Sequence, residues 1–339
     1  TLCRLAGRHR LRGETAVLTV VVPVFNECDV MPEFHRRLTG VLLGLPMQSE
    51  VLYVNDGSTD GSLGYLEALC ATDARVALVD LSRNFGKEVA MAAGLDHARG
   101  DVVVLIDADL QDPPELIPCL LEQWRAGYDN VYARRRARAG ESWFKKASAA
   151  WFYRLIGRLS RVDLPRDTGD FRALSRRAVD ALRQLREHHR FMKGLFAWIG
   201  YPSVAVDYDR DPRHAGASKF DYWKLWNFAI EGITSFTIAP LKLATYVGLV
   251  VAIGAFVAII VLVAKTLLFG EAVKGYPSLM TVILFLGGIQ LIALGSLGEY
   301  VGRMFNETKG RPLYFVKQHR PAGVYGACRS ADAREKDAP

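Results

Sequence analysis

Residues 102–115 constrain the fold of this chain more than any other stretch. They begin with the apolar, β-branched run VVVLI, which is typical of a strand buried on both faces of a parallel sheet. Asp107, Asp109 and Asp112 follow, and two prolines then favour the start of a helix. Open α/β sheets bind ligands at the carboxyl ends of their strands, so we expect a binding site here. The alternative is a solvated acidic loop.

Asp107 and Asp109 form an Asp-x-Asp pattern in this stretch. Alternate residues of an extended backbone point to the same side, so the two carboxylates can bind one hard cation through their oxygen atoms. A divalent cation at this position, Mg2+ or Mn2+, would hold a diphosphate. The pattern therefore predicts a metal and diphosphate site.

Apolar runs at residues 18–25, 51–54 and 75–81 precede this strand and alternate with helical spacing, which predicts a right-handed parallel α/β sheet. Polar residues follow each run, so we expect them on one rim of the sheet. Arg83 and Lys87, beside a helix amino terminus, offer charge and N–H donors to a phosphate, or else form a solvated basic loop. The polar candidates in chain order are Asn26, Glu27, Asp56, Arg83 and Lys87.

The composition changes after residue 235. Residues 243–264 and 275–298 carry no charge, and each run is long enough to cross a hydrocarbon layer of about 30 Å as a helix. Lysine and arginine are more frequent outside the two runs than between them, which predicts that both flanks and the large amino-terminal region lie in the cytoplasm. The alternative is a pair of buried core helices.

The net charge of +7 indicates an anionic partner, which could be nucleic acid, a phosphorylated ligand or a membrane face. The five cysteines have no zinc or redox spacing, and their odd number argues against a disulfide framework, so we expect a reducing cytosolic setting. Residues 1–13 contain arginines but no apolar core, and we expect no secretory signal there.

Residues after 133 are basic and then aromatic. Four arginines occur within residues 134–138, and aromatic residues alternate with cations in residues 143–161. This pattern is typical of an amphipathic helix on anionic headgroups, although packing against the sheet explains it equally well.

Two later segments hold further candidates. Asp170, between Gly169 and Phe171, either caps the following helix or faces a reacting sugar. The loop at residues 210–220 has small residues that allow movement and cations that can clamp a phosphate. Beyond Lys317 the chain is polar and is expected to be disordered.

Taken together, six motifs resemble the family 2 glycosyltransferases that load sugars onto polyprenyl phosphate. They look most like the bactoprenol (undecaprenyl-phosphate) glucosyltransferases and are similar to dolichol-phosphate mannose synthase. The motifs are VPVFNE at 22–27, NDGSTD at 55–60, RNFGK at 83–87, DADLQDPPE at 107–115, DTGDF at 167–171 and GEYVGR at 298–303.

The resemblance covers about residues 18–317 and implies a Rossmann-like GT-A fold with a mixed, mostly parallel sheet, interfacial helices and two carboxy-terminal transmembrane helices. The domains implied are a flexible lead (1–17), a cytoplasmic catalytic domain (18–220), a juxtamembrane amphipathic helix (221–240), the membrane helices (241–302) and a cytoplasmic tail (303–339). A homo-oligomer, often a tetramer, is also implied.

The resemblance assigns roles to individual residues. It implies that Asp107 faces the ribose and sugar, that Asp109 binds the metal with Asp107 and Gln111 as secondary ligands, and that Asp170 orients the acceptor or sugar. Nucleotide-sugar contacts are implied for Pro23, Asn26, Glu27, Asp56, Arg83, Lys87 and Gln111. Acceptor-phosphate contacts are implied for Arg134, Arg136, Arg213, Ser218 and Lys219. The loop departs from the family pattern at Ala217-Ser218-Lys219, so its phosphate contact stays open.

The predicted reaction is inverting transfer of a hexose, with glucose as the best choice, from a UDP-sugar to undecaprenyl phosphate at the cytoplasmic membrane face. GDP-mannose, UDP-GlcNAc, UDP-galactose and UDP-aminoarabinose remain alternative donors. A processive polysaccharide synthase is a further alternative, but the Gln-x-x-Arg-Trp motif usual in such enzymes does not occur. An inactive membrane scaffold is the alternative from another class. Nucleic-acid binding is not expected, because no recognised motif accompanies the basic residues.

Overall fold

The computed structural model describes residues 16–135, 168–188, 190–208, 239–269 and 275–323. These residues fall into two units. The first holds an α/β sheet, to which residues 312–323 return, and the second holds two long helices.

The described residues of the first unit form one sheet of eight strands. Their bounds are β1 (Val17–Val24), β2 (Gln48–Asn55), β3 (Val76–Leu81), β4 (Val102–Leu105), β5 (Asn130–Arg135), β6 (Thr168–Ser175), β7 (Ser203–Tyr208) and β8 (Val316–Arg320). The order across the sheet is β7-β5-β6-β4-β1-β2-β3-β8. The pairs β1–β2, β1–β4, β2–β3 and β5–β7 are parallel, and the other three are antiparallel. The predicted mixed, mostly parallel Rossmann-like sheet is confirmed.

Helices cover this sheet because their apolar residues recur at helical spacing. In α1, Met31, Phe34, Leu38 and Leu42 form the buried stripe. The bounds are α1 (Met31–Leu43), α2 (Ser62–Thr72), α3 (Lys87–His97), α4 (Ile117–Arg125), α5 (Arg176–Gln184) and α6 (Met192–Trp198).

The helix α3 lies very close to the central strands. A Cβ atom added to Gly94 would be 2.2 Å from Val21 Cγ1 and 3.2 Å from Val54 Cγ2, so only glycine permits this approach. Its neighbours Ala90, Met91, Ala92 and Ala93 are buried. The packing fixes the first turn of α3, which begins at Lys87, at the rim where the parallel strands end.

The strand β6 was not predicted. Asp170 lies within β6, which runs antiparallel to β4 and pairs Arg172 with Leu105. Of the two alternatives for Asp170, the helix cap is wrong, because Ser175 is the N-cap residue of α5 and accepts a hydrogen bond from the Ala178 N–H. The strand places Asp170 beside the end of β4.

The strand β8 corrects the expectation for the carboxyl-terminal segment. Residues 318–320, expected to be disordered, pair antiparallel with β3, His319 with Val79 and Gln318 with Asp80. Ala322 is buried. This segment thus forms the edge strand of the described sheet, next to β3.

The second unit consists of α7 (Ala239–Phe269) and α8 (Tyr276–Thr308), which contact each other. Both are longer than the predicted spans 243–264 and 275–298. Within the described residues one helical segment, Phe285–Thr308, meets the length and composition that a bilayer crossing requires. Two membrane spans therefore stay a prediction.

Other predictions fall outside the described residues. These are the lead before residue 16, the interfacial helix at 143–161, nearly all of the juxtamembrane helix at 221–240, the chain after residue 323, and Arg136, Arg213, Ser218 and Lys219.

Candidate active site

A cleft of about 330 Å3 opens at the rim where β1, β2 and β4 end. The sequence-predicted residues Pro23, Glu27, Asp56, Lys87, Asp107 and Asp109 line it. Val24, Phe25, Asn84, Gly86, Ala90 and Ala108 complete the lining. Asn26, Arg83, Gln111 and Asp170 are not among the lining residues. The structure therefore brings together most of the predicted nucleotide and metal candidates.

The acid pair follows β4 in a turn. The Ile106 N–H still donates to Val21 O at 3.1 Å, but Ala108 and Asp109 are in a turn and Leu110 has a φ of 58°. The Asp109 side chain stabilises this turn, since its Oδ1 atom accepts a hydrogen bond of 3.1 Å from the Gln111 N–H. The expectation of an extended Asp-x-Asp is wrong, yet both carboxylates line the cleft.

Lys87 lies between two carboxylates. Its Nζ atom is 2.7 Å from Asp107 Oδ2 and 2.5 Å from Asp170 Oδ2. The contact joins the start of α3 to the end of β4 and to β6. Asp170 Oδ1 is buried and has no hydrogen-bond partner among the described residues. The nucleotide contact that the resemblance implies for Lys87 stays a prediction, and the structure shows Lys87 paired with the two acids.

These contacts shift the proton affinities of the three groups. Burial raises the pKa of Asp107 to about 6, against the opposing charge of Lys87. Burial would also raise the pKa of Asp170, but the charges of Lys87 and Lys193 outweigh it and the pKa lies below its ordinary value. Burial lowers the pKa of Lys87, and the two aspartates reverse this effect, so that the pKa lies above the usual value. Lys87 is therefore charged throughout the physiological pH range.

Two further charged residues, Arg172 and Glu88, lie near Asp170, and neither was predicted from the sequence. Arg172 is buried, lies 3.6 Å above the centre of the Phe196 ring and donates to Gly169 O at 3.0 Å. Burial lowers the pKa of Arg172 to about 10. Glu88 accepts a hydrogen bond from the Met192 N–H, and burial raises its pKa to about 7. The one available signal for Glu88 was its position beside Lys87 at a helix start.

Asp56 shapes the cleft from the end of β2. It is buried, and its Oδ1 and Oδ2 atoms accept hydrogen bonds from the N–H groups of Phe85 and Gly86 at 2.7 and 2.9 Å. The loop that precedes Lys87 is thereby held against β2. Arg83, in the same loop, stacks its guanidinium 4.0 Å from the centre of the Phe85 ring.

Asn26 plays a similar part at the end of β1. Its φ is 55°, its Oδ1 atom accepts from the Thr59 N–H at 2.8 Å, and its N–H donates to Ser58 Oγ at 3.1 Å. Asparagine tolerates this left-handed conformation better than most residues. The neighbouring Glu27 N–H donates to Ser62 Oγ at 3.0 Å. Asn26 thus joins the loops that follow β1 and β2.

Arg134 forms an ion pair away from the cleft lining. Its Nε and Nη2 atoms donate to Asp207 Oδ1 and Oδ2 at 2.6 and 3.0 Å, across the parallel pair β5–β7. Both side chains are partly exposed. The other predicted acceptor residues lie outside the described residues.

Whether the cleft can bind a metal ion depends on the donor atoms that line it. Among the described residues, no group of three or more His, Cys, Asp or Glu side chains forms a closed metal cage. Asp107 and Asp109 do face the cleft, and carboxylate oxygen atoms are the donors that Mg2+ and Mn2+ prefer. Magnesium is commonly bound by one or two carboxylates together with substrate phosphates. The residues therefore fit a cation that is bound together with a diphosphate.

Comparison with known proteins gives two family matches within the chain. Glycosyl transferase family 2 matches residues 19–183, and the GtrB C-terminal hairpin matches residues 239–304. The first match covers the described cleft, and the second covers α7 and α8 as far as residue 304.

Whole-length relatives give the same result. An uncharacterized glycosyltransferase of Synechocystis sp. is 50% identical over 89% of this chain and 95% of its own length. The SfII prophage-derived bactoprenol glucosyl transferase of Shigella flexneri is 47% identical over 89% of this chain and 98% of its own. A prophage bactoprenol glucosyl transferase homolog of Escherichia coli (strain K12) is 46% identical over 89% of this chain and 98% of its own.

Proposed function

The chain belongs to glycosyl transferase family 2 and is a glycosyltransferase, and from this premise we propose that it transfers glucose from UDP-glucose to the phosphate of undecaprenyl phosphate. The observation that carries the proposal is the acid-lined cleft in a chain that also matches the GtrB hairpin. Similarity to bactoprenol glucosyl transferases over 89% of the chain supports the lipid acceptor.

The proposed reaction is a single displacement. An acceptor phosphate oxygen attacks the anomeric carbon, the bond from that carbon to the UDP oxygen breaks, and UDP leaves with the bonding electrons. The configuration at the carbon inverts. A phosphate monoester has a second pKa near 6, so the acceptor is mostly dianionic near pH 7 and needs no strong general base.

The residues of the cleft then act mainly on charge and position. Asp109, with Asp107, would hold Mg2+ or Mn2+, which supplies charge neutralisation for the diphosphate. Lys87 keeps Asp170 in place through their ion pair. Asp170, which lies in β6, orients the acceptor or the sugar. Gln111 contributes through its N–H, which fixes the Asp109 side chain.

Residues assigned to the nucleotide divide into two groups. Pro23, Glu27 and Asp56 line the cleft and are proposed to contact the uridine directly. Asn26 and Arg83 act through the loops that they stabilise. The acceptor phosphate is proposed to meet Arg134, Arg136, Arg213, Ser218 and Lys219.

The second unit is proposed to anchor the enzyme. We assign two membrane spans to α7 and α8, with the catalytic unit at the cytoplasmic face of the inner membrane and a juxtamembrane helix at 221–240. The lysine and arginine excess outside the two apolar runs supports this orientation. Assembly as a homotetramer completes the proposal.

The deciding experiment is a transfer assay with the purified full chain in detergent. Radiolabelled UDP-glucose, undecaprenyl phosphate and Mn2+ should yield a labelled lipid that mild acid cleaves. UDP-galactose, UDP-GlcNAc, UDP-aminoarabinose and GDP-mannose, tested in parallel, identify the donor. Asp109→Ala serves as the inactive control. Absence of labelled polyprenyl product with every donor would overturn the proposal, and a better donor than UDP-glucose would correct the sugar.

A further inference from the structure

The ammonium group of Lys87 occupies a position that a cation of higher charge would also favour. It contacts Asp107 Oδ2 and Asp170 Oδ2 at once, at 2.7 and 2.5 Å. We propose that Lys87 competes with the divalent cation for Asp107, so that the cleft binds that cation weakly until a diphosphate arrives. The inference rests on the proposed function, because it presumes a nucleotide diphosphate as the ligand.

The position of Lys87 is set by the backbone. It is the first residue of α3, whose tight packing on β1 is described above, and Gly86 before it has a φ of 97°. Asp56 holds the N–H groups of Phe85 and Gly86. The Cα of Lys87 is therefore fixed, whereas its side chain is 43% exposed and has rotatable bonds that let the ammonium swing within the cleft.

Competition follows from the charges. In the structure one Asp107 oxygen is already paired with Lys87. A divalent cation held by Asp109 and Asp107 would lie close to this ammonium. Two neighbouring cations repel each other strongly in a partly buried site. Cation binding must therefore displace Lys87 from Asp107 or accept the repulsion.

A diphosphate removes this conflict because it brings new acceptors for both cations. Its oxygen atoms can bind the metal ion and receive the Lys87 ammonium, which retains its contact with Asp170. Cation and diphosphate would then bind cooperatively, and each would raise the affinity of the other by the same factor. Lys87 would be the residue through which the chain produces this coupling.

The test measures binding and requires no sugar transfer. The affinity of the detergent-solubilised full chain for Mn2+ is measured by the electron paramagnetic resonance signal of free Mn2+, with and without UDP. In Lys87→Met, we expect Mn2+ alone to bind at least about tenfold more tightly than in wild type, and the gain from UDP to shrink correspondingly. Lys87→Arg keeps the charge and should behave like wild type.

Lys193→Met is the matched control. Lys193 also acts electrostatically on Asp170 and Glu88. Among the contacts of the described residues, it forms no ion pair with Asp107. It should change Mn2+ affinity less than about threefold.

Equal Mn2+ affinity in wild type and Lys87→Met, or an equal rise in both Met variants, would overturn the proposal. Lys87→Gln repeats the measurement should Lys87→Met not fold. Cooperative Mn2+ and UDP binding without any transfer to lipid would refute the proposed function and leave this inference standing.

Discussion

Glu88 Oε2 accepts a hydrogen bond of 2.8 Å from the backbone N–H of Met192. The bond connects the first turn of α3, which carries Lys87, with the start of α6, which carries Lys193. Partial burial of Glu88 and the negative charge of the nearby Asp170 raise its pKa from 4.5 to about 7. Glu88 therefore joins α3 to α6 and carries a proton affinity raised by its surroundings.

The stability of the chain should therefore depend on pH through Glu88. Between pH 4.5 and pH 7 the folded chain retains a proton that the unfolded chain has lost, so the free energy of unfolding decreases as the pH rises. The slope is at most about 1.4 kcal/mol per pH unit. Glu88→Gln still accepts the Met192 hydrogen bond but cannot ionise. We expect thermal unfolding in detergent to show that the variant is as stable as wild type near pH 4.5 and more stable than wild type above pH 7.

Glu122→Gln provides the control for this experiment. Glu122 is an exposed carboxyl on α4. Its variant should follow the wild-type curve across the whole pH range. A Glu88→Gln curve parallel to wild type would show that folding does not raise the pKa of Glu88.

Gly57→Ala should disturb the loop beside the residues that are proposed to bind the nucleotide. Gly57 has a φ of 65°, and an added Cβ would be 2.5 Å from Arg83 C and from Asn84 N. Both contacts are with backbone, so the loop that Asp56 holds would have to move. We expect a loss of about 2–4 kcal/mol in stability and at least tenfold weaker UDP binding, measured by thermal unfolding and by calorimetry.

Gly64→Ala is the matched substitution. Gly64 is exposed in α2, and nothing lies within 4 Å of its added Cβ. It should stabilise the chain by about 0.5–1 kcal/mol, because alanine favours a helix, and UDP binding should not change. Equal effects of the two alanine variants would contradict the proposed backbone clash.

The sequence predicts the central strands well because their physics is local. β1, β3 and β4 consist mostly of apolar residues and are buried on both faces, and such runs can be recognised without knowledge of their neighbours. Polar residues after these strands must meet at one rim, since the strands are parallel. The positions of Asp107, Asp109 and Lys87 at one cleft follow from this rule.

The strands β6 and β8 depend on distant partners and leave no local pattern. β6 contains Asp170 and Arg172, which are buried only because Lys87 neutralises the first and Phe196 stacks on the second. β8, with the sequence VKQHR, is a polar edge strand whose pairing is defined by β3. The sequence therefore indicated where the acids gather but not which residue balances their charge.

Asp109 and Asp170 should differ in their effect on turnover. Asp109→Ala removes the proposed main metal ligand and should lower kcat/KM by at least about a thousandfold, or about 4 kcal/mol. Asp170→Asn keeps the shape and one hydrogen-bond acceptor for Lys87, so a measurable remnant of activity should persist. Steady-state transfer from UDP-glucose to undecaprenyl phosphate gives both values.

Fold integrity is checked in the same samples by circular dichroism. Complete and equal loss of activity in folded Asp109→Ala and Asp170→Asn would show that Asp170 is essential to the chemistry and does more than orient a substrate. Full activity of Asp109→Ala would show that Asp109 is not the main metal ligand.

The strand β8 should stabilise the edge of the catalytic unit next to β3. The Ser82 N–H donates to Phe315 O at 2.9 Å, Arg320 Nη2 is 3.0 Å from Glu67 Oε1, and Tyr314 donates to Asp96 Oδ2 at 2.8 Å. Truncation after Pro312 removes all these contacts and uncovers the edge of β3. We expect a loss of about 2–4 kcal/mol in stability, since each net hydrogen bond contributes about 1 kcal/mol. Amide hydrogen exchange in Val76–Leu81 should become faster.

Truncation after Gly323 is the control, because it shortens the chain without removing β8. It retains β8 and all the contacts named above, so exchange in β3 should match that of the full chain. If both truncations leave β3 protected, the edge is stabilised by other elements of the sheet, and β8 contributes little to the stability of the catalytic unit. If only the longer truncation opens β3, the residues that follow α8 are an integral part of the enzyme's sheet.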